Sequence, residues 1–347
     1  MKRIIVFLLI LTGLSACKPD VDFNKATSTE EPVTFVIPQG WPQPFFNFEN
    51  NALTQERFQL GRKLFYDGRL SRDNTISCGT CHQSGAAYAH ADHDLSHGID
   101  DLLGKRNSPT IFNLAWSTSF FWDGGVNHIE SQPINPIQNP VEMDESLQNI
   151  IDKLNADSKY RKMFKDAWGT DLINSQRIFK SIAQFMGVMV SATAKYDKVM
   201  RNEAGVSFTG AEQNGYNVFK ANCASCHKEP LFTDFSFRNN GLISGTGSNE
   251  DSGRAIITQK VEDLYKFKIP SLRNLGYSQP YMHDGRLATL DAVLNHYESG
   301  IHITPSLDPL LQNGIKLTAQ ERSDLLAFLK TLDDEEFIKD TRFHEVQ

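Results

Sequence analysis

Cys78-Gly-Thr-Cys81-His82 and Cys223-Ala-Ser-Cys226-His227 are two copies of one five-residue pattern in a chain of 347 residues. Cys-x-x-Cys-His is the attachment pattern of c-type haem, in which two thiols add to the vinyl groups and the adjacent imidazole becomes an axial iron ligand. Two intervening residues let both sulfurs reach the macrocycle edge while the histidine swings beneath the iron. The other readings are a thioredoxin-like redox pair and half of a zinc site. Two copies that take four of the five cysteines favour two haem c groups, one on Cys78, Cys81 and His82 and one on Cys223, Cys226 and His227.

The segments before the two motifs resemble each other. Leu53-Thr-Gln-Glu-Arg-Phe-Gln-Leu-Gly-Arg-Lys-Leu-Phe65 precedes the first, and Phe208-Thr-Gly-Ala-Glu-Gln-Asn-Gly-Tyr-Asn-Val-Phe219 the second. Each has a threonine able to cap a helix, an acid in the first turn, a mid-helix glycine and an apolar face ending in Phe. Thr209 with Glu212 forms a capping box, and Thr318 with Glu321 forms another ahead of Leu325, Phe328, Leu329 and Leu332. The mid-helix glycines predict a second helix crossing closely. Helical periodicity also runs through Ile150–Trp168 and Ile178–Met200, and no region is rich in strands. The expected fold is mainly α, with two cytochrome c-like haem domains in tandem, 45–203 and 204–347.

The fifth cysteine belongs to the N-terminus. Lys2 and Arg3 precede an apolar run from Ile4 to Leu11, and Leu14-Ser-Ala16 stands just before Cys17. Residues 1–16 read as a secretory signal, and the small residues before the cysteine resemble a bacterial lipobox, which implies cleavage before Cys17 and lipidation of its thiol. The apolar run is too short to span a bilayer. A plain signal peptide with an incidental cysteine is the alternative. Residues 17–44 then form a polar tether. Lys18 after the cysteine favours the outer membrane, on its periplasmic side, and export agrees with haem attachment outside the cytoplasm. Losing two positive charges and no negative ones would take the net charge from −7 to −9. An acidic surface argues against nucleic acid and suits a basic redox partner.

A dihaem cytochrome could carry electrons and nothing more. Arg106-Asn-Ser-Pro-Thr110, Phe121-Trp-Asp-Gly124, Gln132, Asn139-Pro-Val-Glu-Met143, Pro270-Ser-Leu-Arg-Asn274 and Pro280-Tyr-Met-His-Asp-Gly285 argue for more. With both haem motifs, these strings resemble the bacterial dihaem cytochrome c peroxidase/MauG family over roughly residues 45–335.

The resemblance implies that hydrogen peroxide binds at the N-terminal haem, whose proximal ligand is His82. Glu142 matches the family's catalytic acid and Gln132 a polar group of the distal pocket. Trp122 matches a tryptophan between the haems, while Trp41, Trp116 and Trp168 read as core. After His-Asp-Gly the peroxidase branch carries a methionine ligand, but Thr289–Gly300 contains none. Tyr297 falls where a ligand is expected, as in MauG-like members, with His296 as the competing donor and Met282 as a core residue. His97 is a candidate sixth ligand of the N-terminal haem, and His90 and His93 read as surface residues. One calcium ion is implied, on the Asn107 side chain and the Lys268 and Pro270 carbonyls. The expected function is reduction of hydrogen peroxide with electrons from a small cytochrome c or cupredoxin. The alternatives are a MauG-like oxidase of a protein or peptide and a non-catalytic electron carrier. Family members are commonly dimers, which implies a homodimer.

Overall fold

The computed structural model describes residues 32–91, 93–243 and 250–346; the leader, Cys17 and the tether as far as residue 31 lie outside the described residues. Helix α1 (Gln55–Phe65) starts at Thr54, whose Oγ1 accepts the Arg57 N–H at 3.2 Å. The first motif is a single turn, α2 (Cys78–Cys81). A long loop then leads through α3 (Ile134–Gln138) to α4 (Leu147–Ala156), α5 (Ser158–Trp168), α6 (Ser175–Gly187) and α7 (Lys195–Met200). The second half continues with α8 (Gly210–Asn222), α9 (Ala255–Thr258), α10 (Leu290–Asn295), α11 (Ala319–Lys330) and α12 (Glu335–Ile338). Among the described residues the named strands are β1 (Phe237–Arg238) and β2 (Phe267–Lys268), one antiparallel pair with Phe237 opposite Lys268. The fold is mostly helical.

Both capping boxes form. Thr209 Oγ1 and Thr318 Oγ1 accept the N–H groups of Glu212 and Glu321 at 3.3 and 3.2 Å. Those carboxylates in turn accept the threonine N–H groups at 2.6 and 2.8 Å, which satisfies donors that a helix start leaves free. The two long periodic runs are each broken. Asp157 ends α4 and caps α5 through the Lys159 N–H at 2.8 Å. The second run opens between α6 and α7, where Ser191 and Thr193 side chains donate to Asp334 at 2.9 and 2.6 Å. Polar partners brought from elsewhere in the chain override the local period there.

The two mid-helix glycines sit at helix crossings. A Cβ on Gly61 of α1 would fall far inside contact with the Ser181 carbonyl of α6, and one on Gly215 of α8 would meet the Asp324 carbonyl of α11 in the same way. Each pair encloses a phenylalanine layer: Phe58, Phe65 and Phe185 in the first, Phe219, Phe232 and Phe328 in the second. Tyr196 of α7 belongs to the second core, whereas Phe337 and Phe343 from the chain's end belong to the first. Tyr66 and Tyr88 hydroxyls donate to the Phe343 carbonyl at 2.7 and 3.1 Å and hold that end in place.

A second repeat lies in the loops. Asn113 and Asn274 both have positive φ, at 55° and 62°. Their N–H groups donate to the carbonyls of Met189 and Leu332 just after α6 and α11. Seven residues further on, Phe120 pairs with Val126 and Tyr281 with Leu287 in matching bridges. Phe121 and Met282 both adopt positive φ inside those turns, at 66° and 75°. The equivalence places Trp122 of one half opposite His283 of the other, with ring centroids 6.5 Å apart.

Candidate functional site

Both Cys-x-x-Cys-His motifs open onto one cavity of about 1590 Å³ whose wall is mainly apolar. That volume exceeds the roughly 300–1,000 Å³ of a pocket for one small ligand. Each proximal histidine is oriented by its neighbours. His82 Nδ1 lies 2.8 Å from the Tyr88 carbonyl, and His227 Nδ1 lies 3.1 Å from the Phe232 carbonyl. The carbonyls of Pro109 and Pro270 face the same two rings. With Nδ1 engaged, Nε2 of each imidazole is the nitrogen left for a metal, and such an outer bond fixes ring and tautomer. Burial also depresses both imidazoles, His82 to about 4, so each is neutral as an iron ligand must be.

The thiols speak against the two other readings of the motif. Burial pushes Cys78, Cys81 and Cys223 up to about 12, opposite to the depressed thiol of a thioredoxin-like pair. Among the described residues no three His, Cys, Asp or Glu side chains converge as a metal-holding group, which removes support for zinc. A large apolar cavity with two anchored imidazoles and two thiol pairs on its wall fits two covalently held haems.

Glu142, Gln132 and Trp122 all line this cavity. Glu142 follows the short α3, and three contacts fix it. Its N–H donates to the Asn139 carbonyl at 3.0 Å and its carbonyl accepts the Ile99 N–H at 2.7 Å. Asn139 Nδ2 donates to the Glu142 carboxylate at 2.9 Å. Burial raises the carboxyl above its ordinary range, and the Asn139 amide offsets part of that rise. A half-buried carboxylate facing an apolar cavity can hold or move one proton there.

Trp122 is held from both halves of the chain. Its indole N–H donates to the Asn107 carbonyl at 2.8 Å, and its own carbonyl accepts the Lys268 N–H at 2.7 Å. Asn107 N–H in turn donates to the His283 carbonyl at 2.8 Å. The structure therefore brings Asn107 and Lys268 together around Trp122. Asn107 Nδ2 is committed to the His93 and Asp94 carbonyls at 3.1 and 3.2 Å, which turns its Oδ1 away from them. That orientation suits a cation ligand, but the Pro270 carbonyl already faces His227 and Lys268 brings a buried ammonium, 2.6 Å from the Ser119 carbonyl. The set fits calcium less well than the cavity fits haem.

Tyr297 lines the cavity and is half-buried, close to Cys223 and Cys226. It sits in a π-helical turn, His296–Gly300, that continues α10, a distortion frequent at functional sites. His296 points elsewhere, with Nε2 3.0 Å from the Asn240 carbonyl, and is not part of the wall. Met282, expected in the core, instead faces the cavity, because its positive φ turns it inward as Phe121 is turned in the other half. His97 is not on the wall either. Its Nδ1 lies 2.9 Å from Asp101, and its ring meets His93 edge-on at 4.7 Å. His90 is buried and stacked on His93 at 4.3 Å rather than lying on the surface.

Three wall features escaped the sequence reading: Asn240, the Lys268 side chain and His283. The Phe-Trp-Asp-Gly and Met-His-Asp-Gly strings share Asp-Gly at equal spacing from the two asparagines, and that match could have flagged His283.

Comparison with known proteins agrees with the doubled haem unit. Residues 55–205 match the family described as Di-haem cytochrome c peroxidase, and residues 212–333 match Cytochrome c. The chain is 36% identical to the methylamine utilization protein MauG of Methylorubrum extorquens, over 87% of this chain and 84% of that one. It is 31% identical to the cytochrome c551 peroxidase of Nitrosomonas europaea, over 95% of this chain and 92% of that one. Among solved structures, a MauG-like protein associated with microbial copper homeostasis superposes with a TM-score of 0.82 at 33% identity, covering 90% of this chain and 99% of that one.

Proposed function

The chain belongs to the di-haem cytochrome c peroxidase and MauG family, and within it we propose that it reduces hydrogen peroxide to water with electrons from a small redox protein. The observation that carries this reading is Glu142, a half-buried carboxylate on the wall of the cavity shared with His82. When bound at the first motif, haem supplies the iron at which the peroxide oxygens are reduced. Glu142 takes the proton from the near peroxide oxygen and returns it to the far one, so that the far oxygen leaves as water. Two electrons and two further protons from outside complete the balance to two waters. Asn139 steadies the carboxylate between its two roles. Gln132 offers a second polar group to the same oxygens, and Trp122 passes electrons between the two halves. His82 and His227 would each hold an iron through Nε2, with the ring kept in one tautomer by its backbone carbonyl.

Tyr297 favours a second reading. A tyrosine oxygen is a hard anionic donor that stabilises the ferric and higher states, and the phenol, not a methionine of the same helix, faces the second motif's side of the cavity. With that donor the chain would act as a MauG-like oxidase, withdrawing electrons from a protein or peptide. Both readings agree with export and with an anchor at Cys17.

One experiment separates them: turnover of peroxide by the holoprotein with a reduced small cytochrome, beside a search for oxidised tyrosine or tryptophan in candidate protein partners. Rapid oxidation of the carrier supports the peroxidase, and oxidised side chains without carrier turnover support the MauG-like oxidase. Peroxide reacting no faster than with a simple cytochrome overturns both.

A further inference from the structure

We propose that Lys268 holds a haem propionate where the two halves of the chain meet, its ammonium serving as the fixed counter-charge to that carboxylate. The proposal rests on haem filling the cavity and on neither catalytic reading.

Lys268 ends β2 and lines the cavity. Its main chain is fixed from the first half, through the bond from its N–H to the Trp122 carbonyl at 2.7 Å. The side chain reaches into the same half. Nζ donates to the Ser119 carbonyl at 2.6 Å and lies 3.5 Å from the Ser117 hydroxyl, with the Phe120 ring centroid 5.9 Å away. An ammonium has three donors, and only the first of these contacts is short. Neither hydrogen bond goes to a carboxylate. In the same stretch the buried Ser119 hydroxyl has no hydrogen-bond partner, a second sign that a polar group belongs there.

The arginines of the described wall are all answered by acids. Arg106 pairs with Asp123 and Asp251 at 2.6 and 2.7 Å, Arg238 with Asp308 at 2.8 Å, and Arg286 with Asp284 at 2.7 Å. Asp123, close to Lys268 in the turn after Trp122, is thereby already engaged. Lys105, the other lysine of the described wall, is exposed. Lys268 is half-buried, and of these cations it alone is drawn into the wall without an acid to face.

A charge taken out of water without a partner is costly, and burial is tolerated where a counter-ion answers it. Haem brings that counter-ion, because each macrocycle carries two propionate carboxylates on its edge. Filling the cavity with haem displaces water from the wall, so the ammonium must find its counter-charge there. A charge-assisted bond from Nζ to a propionate satisfies both groups. A fixed cation beside a haem also favours the electron-richer ferrous state.

The test uses the holoprotein carrying both haems, with Lys268→Met, Lys268→Gln and Lys268→Arg made singly. Lys268→Gln keeps a donor for the Ser119 carbonyl without the charge, so it guards against a variant that fails to fold, and Lys268→Arg keeps the charge. The readouts are the midpoint potential of each haem and the infrared carboxylate bands of isotope-labelled propionates. Lys268→Met and Lys268→Gln are each expected to shift the reduction equilibrium of one haem about tenfold toward ferric, which is about 59 mV for a one-electron couple, and to move one labelled band. The haem that shifts is the owner of the propionate. Lys268→Arg should leave most of the potential and the band in place. Unchanged potentials and bands in both neutral variants would overturn the proposal. So would a shifted potential with no moved band, or a Lys268→Arg shift as large as that of Lys268→Met. Neither readout depends on peroxide turnover, so failure of the catalytic readings leaves this test intact.

Discussion

In the proposed peroxidase reaction Glu142 must be an anion when it takes a proton from peroxide, and its surroundings make that harder. Burial raises its carboxyl above the ordinary carboxylate range, so the anion is populated only at higher pH than for an exposed glutamate. The acid limb of kcat/KM for peroxide should accordingly lie above the usual carboxylate titration, with activity rising as pH rises through it. Glu142→Gln should lower kcat/KM by about 10²–10⁴-fold, the range of a positioned acid–base group, and abolish that limb while both haems stay attached; an unchanged pH profile would remove the assigned role. Glu142 was legible because it stands in a string, Asn139-Pro-Val-Glu-Met143, that carries a resemblance. Asn240 was not. Its neighbours Asn239 and Gly241 form no recognisable pattern, and its partner Met282 reaches it only through tertiary approach. Lys268 shows the same limit, since nothing in Phe-Lys-Ile-Pro announces that the ammonium will be buried against the Ser119 carbonyl.

Helices were read from caps and glycines, and those signals fared well where they were purely local. Thr54, Thr209 and Thr318 cap where expected, because a side chain two or three residues from its partner needs no help from the rest of the fold. The two crossings at Gly61 and Gly215 give a prediction for paired elements. Gly61→Ala should force α1 off α6, and Gly215→Ala should force α8 off α11. Overpacking of this kind costs roughly 1–3 kcal/mol, and backbone carbonyls in the way set it toward the upper end. Thermal melts of the holoprotein should show a lower Tm for each variant, and a Tm equal to that of the unaltered chain would mean that the helices can separate without loss. The long run Ile150–Trp168 is broken locally, by Asp157, but Ile178–Met200 misleads as a single helix for a non-local reason. Asp334, far along the chain, draws Ser191 and Thr193 out of helical geometry, and periodicity carries no trace of so distant a partner.

At the scale of the molecule, the two halves share one cavity and meet at Trp122, which Asn107 holds from one side and Lys268 from the other. Trp122→Phe keeps an aromatic ring but removes the indole N–H and much of the π-system. Rapid mixing of the reduced holoprotein with peroxide should then show the second haem oxidised at least about tenfold more slowly than the first, a loss of about 1.4 kcal/mol in barrier terms; equal rates would place the electron path elsewhere. The tail offers a second prediction. Phe343 is buried in the first core although it lies four residues from the chain's end. Phe343→Ala should cost about 3–5 kcal/mol, and hydrogen exchange should quicken in α1 and α6 before α8. Faster exchange in α8 alone would show that the tail supports the other half. Tandem haem units were legible from the doubled motif, but the exchange of Tyr196 and Phe343 between cores was not, because both are ordinary aromatics in ordinary amphipathic stretches.

The return of the tail has a consequence for the order of events in biogenesis. Phe337 and Phe343 complete a core whose first contributors lie near residue 48, so the earlier lobe cannot seal until the segment that carries them has been delivered to it. Residues 337–343 are thus placed as a clasp on the first lobe, set to close once the rest of that lobe is in position.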